Sequence, residues 1–340
     1  MTVPKPLLAA LRGQSIQPVP LWLMRQAGRY LPEYRQLRKR AGGFLELCLT
    51  PELAAEATLQ PVRRFGFDGA ILFSDILIIA KALGRTVVFR NGDGPSLSAL
   101  SDVNELRAQT DISVLTPVYT ALSKVKTGLP VSTTLLGFAG GPWTVAAYVI
   151  DGSGRTQFVK ARALANDDPA MLDAIIARLS NATAGHLIAQ LDAGADAVQI
   201  FDSWAGLLPP EQFWRFVIAP TRRIVTAIHG RHPTAPIIGF PRNAGPLYET
   251  YFTETGVDVL CLDQAVSLNQ ARELQKRGPV QGNLDPAILV AGGAALDRAV
   301  GDILAALGHR PFVFNLGHGI LPETPLAHVE RLVRLVRGGP

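Results

Sequence analysis

Arg25 and Arg29 lie four positions apart in the run Met24-Arg-Gln-Ala-Gly-Arg-Tyr30. That spacing puts both guanidinium groups on one side of a helix or of an extended strand. Two planar forks held together suit carboxylates or phosphates, which each can grip bidentately. A surface couple answering Glu33 or another acid would show the same spacing. Asp75 follows Ala70-Ile-Leu-Phe73 and precedes Ile76-Leu-Ile-Ile79. A carboxylate in so apolar a stretch must face a cation, N–H donors or water. It either caps the segment after it or meets a ligand. Gly140-Gly-Pro-Trp-Thr144 opens a helix whose free backbone N–H groups could meet an anion, and Tyr148 follows one or two turns on. It is either a half-buried aromatic or a phenol donating to the same ligand. His318 stands between Gly317 and Gly319, so both ring and backbone can be approached closely.

These residues need elements to carry them. Short β-rich runs recur between amphipathic stretches, at Val19–Leu23, Gly69–Phe73, Thr134–Phe138, Ala197–Phe201, Ile237–Phe240, Val257–Leu262, Val280–Gly282 and Phe312–Asn315. Gly66, Gly194 and Gly256 each end a helix just before a strand. Thr50-Pro51, Asp168-Pro169 and Thr324-Pro325 each read as a side-chain cap followed by proline at a helix start. Leu326, Val329, Leu332, Val333 and Val336 form one apolar stripe of a last helix. Repeated helix–glycine–strand units imply parallel strands joined by helices. Eight of them in a 340-residue chain with no Ser/Gly-rich linker favour an α/β, single-domain (β/α)8 TIM barrel over residues 1–340. Function in such a barrel belongs at the C-terminal ends of the strands. Arg25, Asp75, Gly140, Asp202, Pro241-Arg-Asn243, Asp263, Asn283 and His318 all follow a candidate strand there.

Composition narrows the class. The chain is 48% hydrophobic and 18% charged, with a net charge of +5, and its basic residues are scattered. Scattered charge argues against nucleic acid and for an acidic small molecule. Cys48 and Cys261 are the only cysteines, which points to a reducing compartment rather than a disulfide scaffold. No signal-peptide core and no 18-residue apolar run is present, so a cytoplasmic protein away from the membrane is expected. Phosphate-loop, dinucleotide, zinc-spacing and serine-elbow motifs are all missing. Nothing therefore signals a nucleotide, nicotinamide or metal, and no cofactor is expected.

Pro20-Leu-Trp-Leu-Met-Arg-Gln-Ala-Gly-Arg-Tyr30 and Gly137-Phe-Ala-Gly-Gly-Pro-Trp-Thr-Val-Ala-Ala-Tyr148 resemble the two signatures of uroporphyrinogen decarboxylases. Phe73-Ser-Asp-Ile-Leu77, Phe201-Asp-Ser-Trp-Ala-Gly206, Gln281-Gly-Asn-Leu-Asp-Pro286 and Asn315-Leu-Gly-His-Gly-Ile320 are similar to further blocks of that family, in its order. The resemblance implies a homodimeric (β/α)8 barrel that converts the four acetates of uroporphyrinogen III to methyls without a cofactor, giving coproporphyrinogen III. It implies that Arg25 and Arg29 hold substrate carboxylates, with Gln26, Ala27 and Gly28 shaping the same wall. Asp75 would face the pyrrole N–H groups, kept in its charged form by the two arginines. Tyr148, Ser203 and His318 would contact substrate, and Phe201 would pack on the ring. Asp75 and Arg25 are the catalytic candidates, with the proton donor open between them. No role passes to Pro241-Arg-Asn-Ala-Gly245, a variable region. The rivals are a corrinoid-linked methyltransferase, whose thiol-activating members carry a His-x-Cys absent here, and a non-catalytic tetrapyrrole-binding protein.

Overall fold

β-branched and aromatic residues dominate the short runs that follow each helix, and seven of these runs pair side by side. The computed structural model describes residues 4–90 and 94–339, so the extreme ends of the expected 1–340 domain lie outside the described residues. In chain order the strands are β1 (Gly69–Ile71), β2 (Val87–Arg90), β3 (Gly94–Leu97), β4 (Thr134–Gly140), β5 (Ala197–Asp202), β6 (Ile237–Pro241), β7 (Val259–Cys261), β8 (Val280–Leu284) and β9 (Phe312–Leu316). Among the described residues, seven make one curled parallel sheet in the order β1-β4-β5-β6-β7-β8-β9. The antiparallel hairpin β2–β3 stands apart and was not anticipated, because its eight positions show no clean alternation.

The expected first strand, Val19–Leu23, is corrected. Leu21 makes one parallel bridge with Phe314. Phe314 N–H donates to Pro20 O at 2.9 Å and Trp22 N–H to Phe314 O at 3.3 Å. On the other side Asp68 N–H donates to Leu21 O at 3.0 Å, and the Asp68 carboxylate accepts Leu21 N–H at 2.8 Å. The stretch thus lies between β9 and β1 without making a ladder. Pro18 and Pro20 lack the N–H groups a ladder needs, and the chain turns at Met24.

Strand side chains alternate between two apolar clusters. Val198, Ile200, Ile237, Leu260, Phe312 and Phe314 pack outward against the helices. Leu136, Ala197, Ile238, Phe240, Val259, Cys261 and Val313 pack inward with Trp22 and with Leu7 and Leu11 of the short helix Pro6–Leu11. Polar inward residues pair with one another. Trp22 Nε1 donates to Gln281 Oε1 at 2.8 Å, and Gln281 Nε2 to Gln199 Oε1 at 3.2 Å. The curled sheet's interior is therefore filled, and only its end is open to chemistry.

The helix starts are partly corrected. Asp168 does cap Pro169–Asp192 by accepting Met171 N–H at 3.0 Å. Thr50 makes no side-chain cap on Pro51–Phe65. The last helix, Leu326–Val336, begins after Pro325 with no side-chain cap. Gly66 and Gly256 take the left-handed conformation at helix ends, with φ of 65° and 77°. Val329, Leu332 and Val336 are buried as the stripe requires.

Candidate active site

The turn after Leu23 sets the first wall. Gln26 is fully buried and its amide is spent within the protein: Oε1 accepts Leu23 N–H at 3.1 Å and Nε2 donates to Gly69 O at 3.0 Å. Tyr30 Oη donates to Gln26 O at 2.8 Å. Gln26 therefore contributes to the wall by shaping its backbone, while Ala27 and Gly28 are half-buried beside it. Arg25 and Arg29 are exposed. They lie on neither a helix nor a strand, contrary to the spacing model. Arg25 is held at φ 60°, a conformation that costs a non-glycine residue about 1–3 kcal/mol. Its side chain crosses Gly319 so closely that a Cβ at 319 would land on Arg25 Cδ. Arg29 offers its carbonyl to Arg35 at 3.0 Å, and its charge bears on Tyr34.

Asp75 follows β1. Leu77 N–H donates to its Oδ1 at 2.8 Å, which closes a local turn just ahead of the helix Ile78–Ala82, whose N-cap is Leu77 with no side-chain cap. Among the described residues its second oxygen accepts no hydrogen bond. Burial pushes the Asp75 carboxyl up to about 6, outweighing the Leu77 N–H and the Arg25 charge, which pull it down. This corrects the expectation that two arginines would hold it firmly charged: Arg25 acts on it, Arg29 does not, and desolvation exceeds both favourable effects.

Three inward-facing aromatics line the site's floor. Phe201 meets Phe138 edge-on at 5.6 Å and Phe240 edge-on at 6.0 Å, and the His318 ring stacks on Phe240 at 6.4 Å. Burial, then the charges of Arg242 and Arg25, hold the His318 imidazole down to about 3. It is a neutral ring at neutral pH, and its Nδ1 is buried with no partner among the described residues. Tyr148, on the helix Pro142–Asp151, is half-buried. Its ring meets Phe158 edge-on at 4.9 Å, and Phe158 meets Trp204 at 5.0 Å. Burial raises the Tyr148 phenol, with the charges of Asp75 and Arg25 both felt there. Ser203 is half-buried just past β5. The structure thus joins Asp75, Arg25 and Tyr148 on one side of the mouth and Arg25, Arg242 and His318 on another.

The glycines of Gly140-Gly-Pro-Trp-Thr144 serve packing. Gly141 N–H donates to Phe201 O at 2.8 Å, and a Cβ at 141 would land on the Asp202 carboxylate. Asp202 is out of phase with Phe201 and points to the helix side, where Thr144 Oγ1 donates to its Oδ1 at 2.5 Å. Burial raises that carboxyl to about 7, but it stands behind the wall. Asp263 is likewise structural: it accepts from Asn243 N–H and Tyr248 Oη, each at 2.5 Å. Phe138, Phe240 and Arg242 escaped the sequence reading as site residues, although in-phase counting from Ile238 would have found the latter two.

Residues 2–339 match a family model described as uroporphyrinogen decarboxylase (URO-D). Proteins named uroporphyrinogen decarboxylase from Sphingopyxis alaskensis and Rhodospirillum rubrum are 55% and 51% identical to the chain, with 99% of each partner covered in both comparisons. The one from Chelativorans sp. is 53% identical, covering 98% of both. Among solved structures, a methyltransferase from Methanosarcina mazei superposes with a TM-score of 0.80 at 20% identity over 98% of this chain and 97% of that one. At that identity the likeness is one of fold.

Proposed function

The chain belongs to the uroporphyrinogen decarboxylase family, and from that membership we propose how its strand-end mouth works on uroporphyrinogen. The reaction is a decarboxylation in tetrapyrrole biosynthesis. Our reading assigns it four successive acetate-to-methyl conversions on uroporphyrinogen III, ending at coproporphyrinogen III. The observation that carries the reading is Asp75 with an uncommitted carboxylate oxygen beside Arg25, above an aromatic floor. Among the described residues neither Arg25 nor Arg29 has a carboxylate partner, so both guanidinium groups are free for the substrate's acidic arms.

Decarboxylation requires somewhere for the electrons of the broken bond to go. A proton added to a pyrrole carbon makes the ring itself that sink, so the scheme needs no cofactor. The carbon–carboxylate bond then breaks, carbon dioxide leaves, and the electron pair neutralises the ring. A second proton on the exposed methylene carbon completes the methyl. The ring carbon then gives up the first proton, so the pyrrole is restored and each acetate consumes one proton net. Asp75 would steady the cationic ring as it forms, inside a desolvated mouth where a fixed charge acts strongly. Arg25, too weak an acid to give up its own proton readily, would hold the reacting acetate. Tyr148, Ser203 and His318 would contact substrate, with Phe201 against the macrocycle.

We further propose that Pro20–Trp22 completes the curled sheet as an eighth barrel strand, within one domain. The assembly would be a homodimer in the cytoplasm. Family membership supports the dimer, and sedimentation equilibrium at micromolar concentration tests it, a monomer mass refuting it. The thiol-activating methyltransferase alternative has no His-x-Cys here, and burial raises the Cys261 thiol to about 12.

The deciding assay supplies uroporphyrinogen under anaerobic, reducing conditions and follows release of carbon dioxide. Asp75→Asn, which keeps the shape but removes the charge, should lower kcat by roughly 10²–10³-fold. A near-normal rate would refute the role given to Asp75.

A further inference from the structure

Arg242 lies in a stretch to which no role was transferred, yet its placement is tightly built. Ile238 and Phe240 face the interior of the curled sheet, and Arg242 is the next residue in that phase, just beyond the end of β6. Its N–H donates to Asp202 O and its carbonyl accepts Gly206 N–H, each at 3.1 Å. Arg242 is thereby tied to the loop that carries Ser203. Asn243, the following residue, adopts φ 59° while its N–H donates to Asp263 at 2.5 Å. Gly206 crosses so close to Asn243 that a Cβ there would land on the Asn243 carbonyl.

The side chain is left uncommitted by this scaffold. Among the described residues no carboxylate pairs with Arg242, and its Nε is buried without an acceptor. Elsewhere a half-buried arginine is satisfied by the fold: Arg178 donates to Val103 O at 2.8 Å and Leu106 O at 2.7 Å. A buried guanidinium N–H left unpaired costs about 1–3 kcal/mol or more, a cost that an acceptor brought from outside would relieve. Next to it His318, whose ring stacks on Phe240, also buries an unpartnered Nδ1. The Arg242 charge is felt at that ring.

We infer that Arg242 and His318 together grip one carboxylate of the substrate, on an arm other than the one reacting beside Asp75 and Arg25. The neutral imidazole donates one N–H and the guanidinium donates the others, so a single carboxylate satisfies both orphaned groups. β6 lies three strands along the sheet from β1, a separation that suits two arms of one macrocycle. The inference rests on the uroporphyrinogen reading above and extends it to a second subsite.

The test compares wild type, Arg242→Gln and Arg242→Lys with uroporphyrinogen as substrate. Loss of a charge-assisted hydrogen bond predicts a KM raised roughly 10- to 100-fold in R242Q. Its kcat should stay within about threefold, because the group is remote from the reacting carbon. R242K, with the charge but without the fork, should fall between. A wild-type KM in R242Q, or a collapse of kcat at unchanged KM, overturns the inference. Should R242Q fold poorly, R242K decides alone: a raised KM supports the subsite and an unchanged one overturns it. Wild-type inactivity toward uroporphyrinogen would instead sink the functional reading, which keeps the two failures apart.

Discussion

Asp75 is poised between two protonation states, and its chemistry depends on which one prevails. Burial raises its carboxyl to about 6, while Arg25 opposes the rise. If the charged form steadies the ring cation, kcat/KM should fall as pH drops through about 6. Removing the Arg25 charge, as in Arg25→Gln, would move that acid limb to higher pH, because the carboxylate loses its one charged supporter. A limb that stays in place in this variant separates Arg25 from Asp75. At this scale residue types alone were informative in part: the isolated carboxylate Asp75 and the glycine-flanked His318 both feel the Arg25 charge, whereas the Arg29 charge bears on Tyr34 instead. The inward phase of Arg242 was legible by counting from Ile238, but its free guanidinium was not. Nothing about its type or spacing shows that it lacks an acid partner, since that depends on everything folded around it.

At the scale of elements, the turn Met24–Tyr30 and the loop after β9 are fitted to one another. Ile320 N–H donates to Met24 O at 2.9 Å, and Arg25 lies across Gly319. Gly319→Ala should therefore displace the Arg25 side chain while leaving the buried core untouched. A misplacement of about 1 Å at a reacting group costs on the order of 10²-fold, so a loss of activity approaching that size is expected. The midpoint of thermal unfolding should stay within about 2–4 °C. Unaltered kinetics in G319A would show that the contact does not position Arg25. Seven of the eight expected strands were legible because apolar runs alternate with helices. The eighth, Val19–Leu23, makes a single bridge to β9 rather than a ladder, for Pro18 and Pro20 remove donors there. The β2–β3 hairpin was invisible because its stability comes from contacts outside its own short sequence.

Across the whole molecule, buried titrating groups pull stability in opposite directions. Asp202 is fully buried and its carboxyl is raised to about 7. Its folded value lies above its unfolded one, so the native state holds the proton longer. Stability from this group is present below about pH 4 and is lost as pH rises toward about 7. His186 and His318 work the other way. Burial lowers each to about 3, so they cost stability as pH falls below about 6.5. Asp202→Asn removes the first effect only. Urea unfolding should show this variant gaining on wild type between about pH 4 and pH 7, by up to about 4 kcal/mol. A pH-independent difference would show that Asp202 does not titrate in that range.

Short-range pattern suffices for some properties of this chain. Alternating apolar runs and helix-ending glycines specify parallel strands wrapped by helices, and the signature runs carry the family. Periodicity also says which strand residues face inward, since successive side chains alternate across the sheet. The tertiary structure alone decides what each polar group meets: that Gln26 is spent inside its turn, that Asp202 stands behind the wall, and that Arg242 Nε and His318 Nδ1 are buried with no partner among the described residues. Hydrogen-bond satisfaction and desolvation are sums over neighbours distant in sequence, and no local pattern contains those neighbours.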